Sequence, residues 1–285
     1  MKKVTECMKK NGHWLAAFLL FGVIVLAIAG VRDAKKISYR IVCLGDSIVG
    51  NEQGETSITG IMSRVLSQPV FNGAFGGTTM TCRESEKRAD VTTDTLSLAR
   101  LSQAIALQDF GVQNAGITRN AAMEYFPGRV YEFQDVDFDQ VEILVIEHGV
   151  NDYQTGVPLD NDQDPYDIYT FGGALRYSIE TLKKAYPDLR IILVTPTYCW
   201  FLYERLNCEQ KNLGHGYLKD YVDLEKEIAA QYGLELVDNY YESGIGSTGK
   251  FEEWEFYTQD GLHLNEAGRE LVANRIIACI QDGVR

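Results

Sequence analysis

Short apolar runs alternate with longer amphipathic stretches along the chain from residue 38 onward. The apolar runs are rich in Ile, Val and Leu, which is typical of strands buried on both faces of a parallel sheet. We predict strands at Tyr39–Leu44, Pro69–Ala74, Val141–His148, Arg190–Thr195 and Leu234–Val237. The stretches between them have helical periodicity, and we predict helices at residues 56–68, 92–109, 167–186, 216–232 and 265–281. This alternation predicts an α/β fold, a three-layer α/β/α domain around a five-stranded parallel sheet.

One apolar stretch is longer than any of these strands and carries no charge. Residues 14–31 would form a helix of about 27 Å, close to the ~30 Å hydrocarbon core of a bilayer. We predict a transmembrane signal-anchor there, preceded by a short tail (residues 1–13) and followed by a linker (32–37) and one domain (38–285). The alternative is a secretory signal peptide cleaved near Ala29, in the sequence Ala27-Ile28-Ala29. The domain would be extracytoplasmic in either case, membrane-anchored in the first and secreted in the second.

The composition and charge exclude several classes of function. The formal net charge is −13, and such a surface repels nucleic acid, whereas it attracts neutral or cationic substrates more easily. The acidic run Asp160–Asp167 has the alternation of a calcium loop, but Pro165 stands where an EF-hand needs Gly and Phe171 where it needs Glu. We therefore predict no metal and no cofactor. The sequence leaves the oligomeric state open.

The cysteines do not form the pattern of a disulfide scaffold. There are six of them, and no C-x-x-C pair points to zinc. Cys199 and Cys208 could close a small loop if the domain lies outside the cytoplasm. The sequence leaves this pairing open.

Polar residues follow the predicted strands, at the edge where an open parallel sheet binds its ligands. The aromatic residues Tyr198 and Trp200 follow the fourth strand, where they could line a substrate pocket or form the packed base of a loop. The polar clusters are Gly45-Asp46-Ser47 after the first strand, Asn72–Thr79 after the second, Gly149–Asp152 after the third and Asp260–His263 before the last helix.

These clusters contain the groups that acyl transfer requires. A serine nucleophile needs a base, and the base needs a third group that holds its tautomer. Asp260 precedes His263 by three residues, so its carboxylate can reach Nδ1 of His263 while Nε2 points to Ser47. The other histidines suit the role less: His13 borders the apolar span, His215 lies in a glycine-flanked loop, and His148 ends a strand.

A developing oxyanion also needs hydrogen-bond donors. Three donors are candidates: the backbone N–H of Ser47, a backbone N–H within Asn72–Ala74 and the side-chain amide of Asn151. Each of these residues also has an ordinary structural interpretation, as a turn or a helix cap. It is their order and their placement at strand ends that favour an active site.

The four blocks "GDS", "NGAFGGT", "GVND" and "DGLH" resemble, in this order, those of the SGNH/GDSL hydrolase family. The resemblance covers about residues 38–282. It implies a flavodoxin-like sheet of order 2-1-3-4-5 and a serine esterase. Carried over to this chain, it implies that Ser47 is the nucleophile, His263 the general base and Asp260 the carboxylate that orients it.

The resemblance also implies an oxyanion hole made of Ser47, Asn151 and a residue of the second block. That block departs from the usual Asn-x-Gly of the family, because this chain has Asn72-Gly73-Ala74. The donor would then be the Ala74 N–H, with the Gly73 N–H as the alternative.

The expected function is hydrolysis of a carboxylic ester through an acyl-enzyme. The substrate would be a small-molecule, glycan or lipid ester, such as an O-acyl group of a surface polysaccharide or a lysolipid, and the N-terminal helix would contact the membrane. Two alternatives stay open. One is an acyltransferase that uses the same three residues, and the other is a catalytically silent SGNH-fold module that binds glycans.

Overall fold

The structure is a computed structural model that describes residues 36–83, 94–117 and 129–283. Ser38–Arg285 forms one compact unit. Within the described ranges, no helix has both the length and the hydropathy needed to cross a bilayer. The predicted anchor at residues 14–31 and the alternative cleavage site near Ala29 lie outside the described residues.

A five-stranded parallel sheet lies at the centre of the unit, with the strand order β2-β1-β3-β4-β7. Two short strands, β5 and β6, pair antiparallel in a separate hairpin. Without this hairpin, the order along the chain is the expected 2-1-3-4-5, so the predicted topology is confirmed. The strands are β1 Ile41–Gly45, β2 Val70–Asn72, β3 Ile143–Glu147, β4 Arg190–Val194, β5 Trp200–Phe201, β6 Leu206–Asn207 and β7 Glu235–Val237.

Helices cover the sheet in two groups. The helices of the described residues are α1 Ser47–Gly50, α2 Ile58–Leu66, α3 Leu98–Leu107, α4 Gly111–Ile117, α5 Arg129–Asp135, α6 Val150–Gln154, α7 Phe171–Ala185, α8 Leu218–Tyr232, α9 Asn239–Glu242, α10 Trp254–Tyr257 and α11 Glu266–Asp282, with 3₁₀ turns at Phe138–Gln140 and Phe251–Glu253. Helix α7 packs against α3 and α8, whereas α11 packs against α2 and β7. The three-layer prediction is therefore confirmed.

The strands and helices form where the local sequence favours them. Every residue of β1 and β3 is buried, as expected for strands covered on both faces. Three long helices begin at a residue whose side-chain oxygen accepts a backbone N–H of the first turn: Ser57 for α2, Thr170 for α7 and Asn265 for α11. Such caps satisfy one of the orphan N–H groups at a helix start.

The register of the sheet determines where the functional residues lie. Gly45 at the end of β1 pairs with Glu147 at the end of β3, which pairs with Val194 at the end of β4. These three strands therefore end at one level. The segments that follow them emerge along the same edge, which is where the polar clusters were predicted to meet.

Candidate active site

Ser47 lies at the sharp turn between β1 and α1. Gly45 ends the strand, and a Cβ added there would come within 2.9 Å of the Glu147 carbonyl oxygen, so glycine lets the turn approach β3 closely. Asp46 caps α1 and accepts the Ile48 N–H at 2.9 Å. Ser47 is therefore the first residue of a short helix that starts at the carboxyl edge of the sheet.

His263 and Asp260 come from the turn before α11 and meet Ser47 there. His263 Nε2 lies 3.0 Å from Ser47 Oγ, and His263 Nδ1 lies 2.7 Å from Asp260 Oδ2. The second oxygen of Asp260 accepts the backbone N–H of Leu262 at 3.1 Å and of His263 at 2.8 Å. The structure thus brings the three residues together as the sequence predicted, in one chain of hydrogen bonds.

The electrostatics of the turn keep Asp260 ionised. Partial burial raises the pKa of Asp260, but the hydrogen bonds from the His263 ring and from the His263 and Leu262 N–H groups outweigh it, so the pKa is lowered overall. A carboxylate in this position accepts a hydrogen bond from the protonated Nδ1 of His263. The lone pair of Nε2 is then directed at the Ser47 hydroxyl, which is the tautomer a general base needs.

Asn151 lies on α6, the short helix that follows β3. Its side-chain amide donates to the carbonyl oxygen of Thr78 at 2.9 Å, so it contacts the loop that follows β2. An amide has two N–H donors. No described residue accepts the second donor of Asn151.

The Ala74 and Gly73 N–H groups, the predicted backbone donors of the second block, already have acceptors. The Ala74 N–H donates to Asn72 Oδ1 at 3.2 Å, and the Gly73 N–H donates to the Cys43 carbonyl oxygen at 2.8 Å, as part of the strand pairing. Ala74 is also completely buried. This geometry argues against either residue as an oxyanion donor.

Gly77 is a better placed candidate for a backbone donor, and the sequence did not single it out. It is exposed, its φ is +74°, and no described residue accepts its N–H. A Cβ added there would meet no atom of the described residues within 4 Å beyond its neighbours in the chain. Thr78 and Thr79 follow Gly77 in the loop. The carbonyl oxygen of Thr78 accepts the hydrogen bond from the Asn151 side-chain amide. The Gly76-Gly77 pair, which permits a left-handed turn, was the available signal.

Two predicted pocket residues and one alternative base are buried. Tyr198 and Trp200 are 3% and 4% exposed, and their rings pack edge to face at 5.1 Å, so they form the base of a loop and do not line a pocket. His148 is completely buried, and burial lowers its pKa to about 3, which leaves the ring uncharged. His148 therefore fits a structural role.

The acidic loop that resembles a calcium site makes an ion pair. Asp160 binds Arg176 through two hydrogen bonds of 2.9 Å. In the part of the chain that the structure describes, no cluster of His, Cys, Asp or Glu could hold a metal ion.

Residues 43–271 match the family model described as GDSL-like Lipase/Acylhydrolase. The chain belongs to this family. Membership makes the protein a hydrolase that acts on ester bonds. A comparison of this GDSL-like hydrolase with curated proteins gave no significant sequence match.

Solved structures share the fold of this GDSL-like hydrolase. A Lactobacillus plantarum protein has a TM-score of 0.61 at 19% identity, over 86% of this chain and 98% of its own. A possible lipase from Chitinophaga pinensis has a TM-score of 0.54 at 17% identity, over 85% and 98%. The native M. smegmatis aryl esterase has a TM-score of 0.51 at 15% identity, over 86% and 99%. At these identities the likeness concerns the fold.

A pair of buried carboxyl groups lies beneath the Ser47 turn of the GDSL-like hydrolase. Burial raises the pKa of Asp46 to about 7, although the hydrogen bond from Ile48 opposes it. Burial raises the pKa of Glu147 well above its usual value, with further increases from the Asp46 and Glu225 carboxylates. Neither carboxyl oxygen of Glu147 has a hydrogen-bond partner among the described residues. Because a buried carboxylate without a donor is costly, Glu147 keeps its proton.

A third buried carboxyl group, that of Asp152, connects the loop that follows β2 with the helix that follows β3. Asp152, which follows Asn151, accepts the N–H groups of Met80 at 2.9 Å and Thr81 at 3.2 Å, and the Thr81 hydroxyl at 2.9 Å. Burial raises its pKa to about 6, against the effect of these bonds. Asp152 therefore ties the loop that carries Gly77 to the helix that carries Asn151.

We expect the Glu147→Gln variant to gain stability relative to the parent as pH rises. A carboxyl group whose pKa is raised in the folded state contributes stability at pH values below its ordinary pKa of 4.5. This contribution is lost as the pH rises toward the pKa of the group in the folded protein. Gln has nearly the same shape as a protonated Glu and has no proton to lose. The difference in Tm between variant and parent should be small at pH 5 and largest at pH 9, as measured by thermal denaturation.

Glu142→Gln is the matched control for this experiment. Glu142 lies just before β3, is exposed and pairs with Arg40, and the hydrogen bond from Arg40 lowers its pKa. Its replacement should give no such gain at high pH. A Tm difference for Glu147→Gln that is constant from pH 5 to pH 9 would contradict the protonated state of Glu147.

Proposed function

We propose that the protein is a serine esterase that cleaves carboxylic esters through an acyl-enzyme on Ser47. The observation that carries this proposal is the continuous hydrogen-bond chain from Ser47 Oγ through the His263 ring to Asp260, with lengths of 3.0 and 2.7 Å. A hydroxyl becomes a good nucleophile when such a base accepts its proton and a carboxylate holds the base in one tautomer.

The reaction would proceed in two halves. Ser47 Oγ attacks the ester carbonyl while His263 Nε2 takes its proton, and His263 then gives this proton to the departing alcohol. Water next attacks the acyl-enzyme with His263 again as base, which releases the acid and restores Ser47. Asp260 remains ionised throughout and stabilises the protonated ring.

We assign the oxyanion donors to the backbone N–H groups of Ser47 and Gly77 and to the Asn151 amide. The Ser47 N–H is at the start of α1, where helix N–H groups lack partners within the helix. The Gly77 N–H has no acceptor among the described residues. Asp152 and the Asn151–Thr78 hydrogen bond support this arrangement, because they fix the loop of Gly77 against α6.

We expect Asn151→Ala to lower kcat by about 10²–10³-fold and to change KM much less. The loss of one oxyanion donor weakens binding of the transition state more than binding of the substrate. Steady-state kinetics on a nitrophenyl ester measures this. Gln154→Ala, on the same short helix α6, is the matched control and should retain parental kcat. A rise in KM at unchanged kcat would remove Asn151 from the oxyanion hole.

We further propose that the enzyme acts on an ester outside the cytoplasm. The uncharged apolar residues 14–31 and the lysines that precede them support export, either with an anchor or with cleavage near Ala29. The net charge of −13 favours a neutral or cationic ester over an anionic one. Protease treatment of intact and of permeabilised cells tests the location, since an exported domain is degraded in intact cells.

The decisive test of the esterase proposal is fluorophosphonate labelling of the full chain in mild detergent, followed by intact mass measurement. One adduct, located on Ser47 by peptide mapping, is the expected result. Nitrophenyl acetate and nitrophenyl decanoate then separate a short-acyl from a long-acyl preference. A folded protein without an adduct would contradict the proposal and favour the silent glycan-binding module.

A further inference from the structure

The β5–β6 hairpin places two cysteines opposite each other. Trp200 pairs with Asn207 in this antiparallel hairpin, and Cys199 and Cys208 are the next pair outward. The Cys208 N–H donates to the Cys199 carbonyl oxygen at 3.0 Å. Hydrogen-bonded antiparallel pairs have Cα atoms about 5.5 Å apart, and disulfides span about 4.4–6.8 Å. The Cα separation expected for such a pair therefore lies within the range that a disulfide spans.

The two thiols are also close to each other. Both side chains are buried, and each thiol shifts the pKa of the other. Cys208 Sγ lies 3.8 Å from the Tyr240 hydroxyl, which is a further donor to it. In the structure both residues are thiols.

Other cysteines of the described residues have different surroundings. Cys43 is inside β1, Cys82 contacts the Ser97 hydroxyl, and Cys279 lies on α11 near Arg190. Within the described ranges, none of these three has a second cysteine as a hydrogen-bond neighbour. Among the described cysteines, Cys199 and Cys208 are therefore the pair that is placed to form a disulfide.

The hairpin supports the turn that carries Asp260 and His263. The Trp200 N–H donates to the Gly261 carbonyl oxygen at 2.7 Å. A Cβ added to Gly261 would come within 2.8 Å of the Trp200 carbonyl oxygen and 3.0 Å of Leu202, so the two segments lie in close contact. Because Trp200 directly follows Cys199, a crosslink at Cys199 restrains the strand on which this turn rests.

We propose that Cys199 and Cys208 form a disulfide that holds the β5–β6 hairpin against the Asp260–His263 turn. The significance of that turn rests on the proposed esterase, and the oxidising compartment in which such a bond persists rests on the proposed export. The hairpin geometry rests on neither.

The oxidant is a low-molecular-weight disulfide, which reacts by two exchange steps as the hairpin folds or opens. In the first step one cysteine thiolate attacks the small disulfide, which forms a mixed disulfide and releases one small thiol. In the second step the other cysteine thiolate attacks the mixed disulfide and releases the second small thiol. The cysteine pair loses two electrons and two protons, and the small disulfide gains both.

Peptide mapping of the full chain tests the bond. The protein is incubated with oxidised glutathione or with a phosphine reductant, denatured, alkylated and digested with trypsin. Cleavage after Arg190, Arg205 and Lys211 places the two cysteines on separate peptides, 191–205 and 206–211. We expect these peptides to be linked in the oxidised sample and alkylated separately in the reduced one. Complete alkylation of both after oxidation, or a link to another cysteine, overturns the proposal.

Thermal denaturation tests the bracing role. The oxidised protein should have a Tm about 5 °C above that of the reduced protein, as expected for a short closed loop in a chain of this size. Cys208→Ala should abolish this difference, whereas Cys279→Ala should keep it. A bond that forms without a shift in Tm overturns the bracing role. A linked pair in a protein without ester turnover would refute the esterase proposal and leave the bond in place.

Discussion

Ester turnover by the Ser47→Ala variant is expected to fall by about 10⁵–10⁶-fold, which is the loss seen when the nucleophile of a hydrogen-bonded serine hydrolase site is removed. The hydroxyl of Ser47 is hydrogen-bonded to His263 Nε2 at 3.0 Å. Without it, the proposed acyl-enzyme cannot form, and the proposed oxyanion donors that remain would support only slow attack by water. The measurement is kcat on a nitrophenyl ester, together with fluorophosphonate labelling, which should be absent.

The fold of this variant should be unchanged, because the cap of α1 is the Asp46 carboxylate and not the Ser47 hydroxyl. Thermal denaturation and circular dichroism would confirm this. Ser38→Ala is the matched control: Ser38 is exposed and precedes β1, at the opposite end of the strand from Ser47. Retention of more than a tenth of the parental kcat by Ser47→Ala would exclude Ser47 as the nucleophile.

The sheet could be predicted because its strands are buried on both faces. β1 and β3 are almost entirely apolar, and such runs have no other stable place in an α/β domain. The β5–β6 hairpin could not be predicted, since each of its strands has two residues and is held by tertiary contacts such as the hydrogen bond to Gly261. Local propensity carries no signal for strands of that length.

The predicted site residues differ in how much the sequence says about them. Ser47, Asp260 and His263 could be chosen because their chemistry needs particular side chains at strand ends. An oxyanion N–H can come from almost any residue, and its availability depends on what else accepts it. Asn72 accepts the Ala74 N–H, whereas no described residue accepts the Gly77 N–H. The glycine pair marks a turn in the sequence, but the folded loop is needed to show which N–H has an acceptor.

The carboxyl groups around Ser47 have opposite charge states because their surroundings differ. Asp260 is partly exposed and accepts three hydrogen bonds, so its pKa is lowered. The stability that this ionised group contributes is present at pH values above its ordinary pKa and is lost as the pH falls. Glu147 is fully buried beside Asp46 and Glu225, so it stays protonated. An anion therefore lies beside the His263 ring, whereas the buried Glu147 side chain is neutral.

The Asp260→Asn variant tests whether this anion sets the tautomer of His263. Asn can still accept the Leu262 and His263 N–H groups through its carbonyl oxygen, so the turn should persist. Its NH₂ group would then face His263 Nδ1 and donate to it, which moves the ring proton to Nε2. Nε2 would donate to Ser47 and could no longer accept its proton. We expect kcat to fall by about 10³–10⁴-fold, with a much smaller change in KM.

Labelling distinguishes this electronic effect from a loss of the site. The fluorophosphonate adduct should still form on Ser47 in Asp260→Asn, at a rate reduced in proportion to kcat, because the nucleophile is present but lacks its base. Asp162→Asn, in the exposed acidic loop, removes the same charge away from the site and should leave kcat unchanged. If Asp260→Asn kept kcat within tenfold of the parent, the 2.7 Å contact with His263 would be structural only, and another group would have to orient the base.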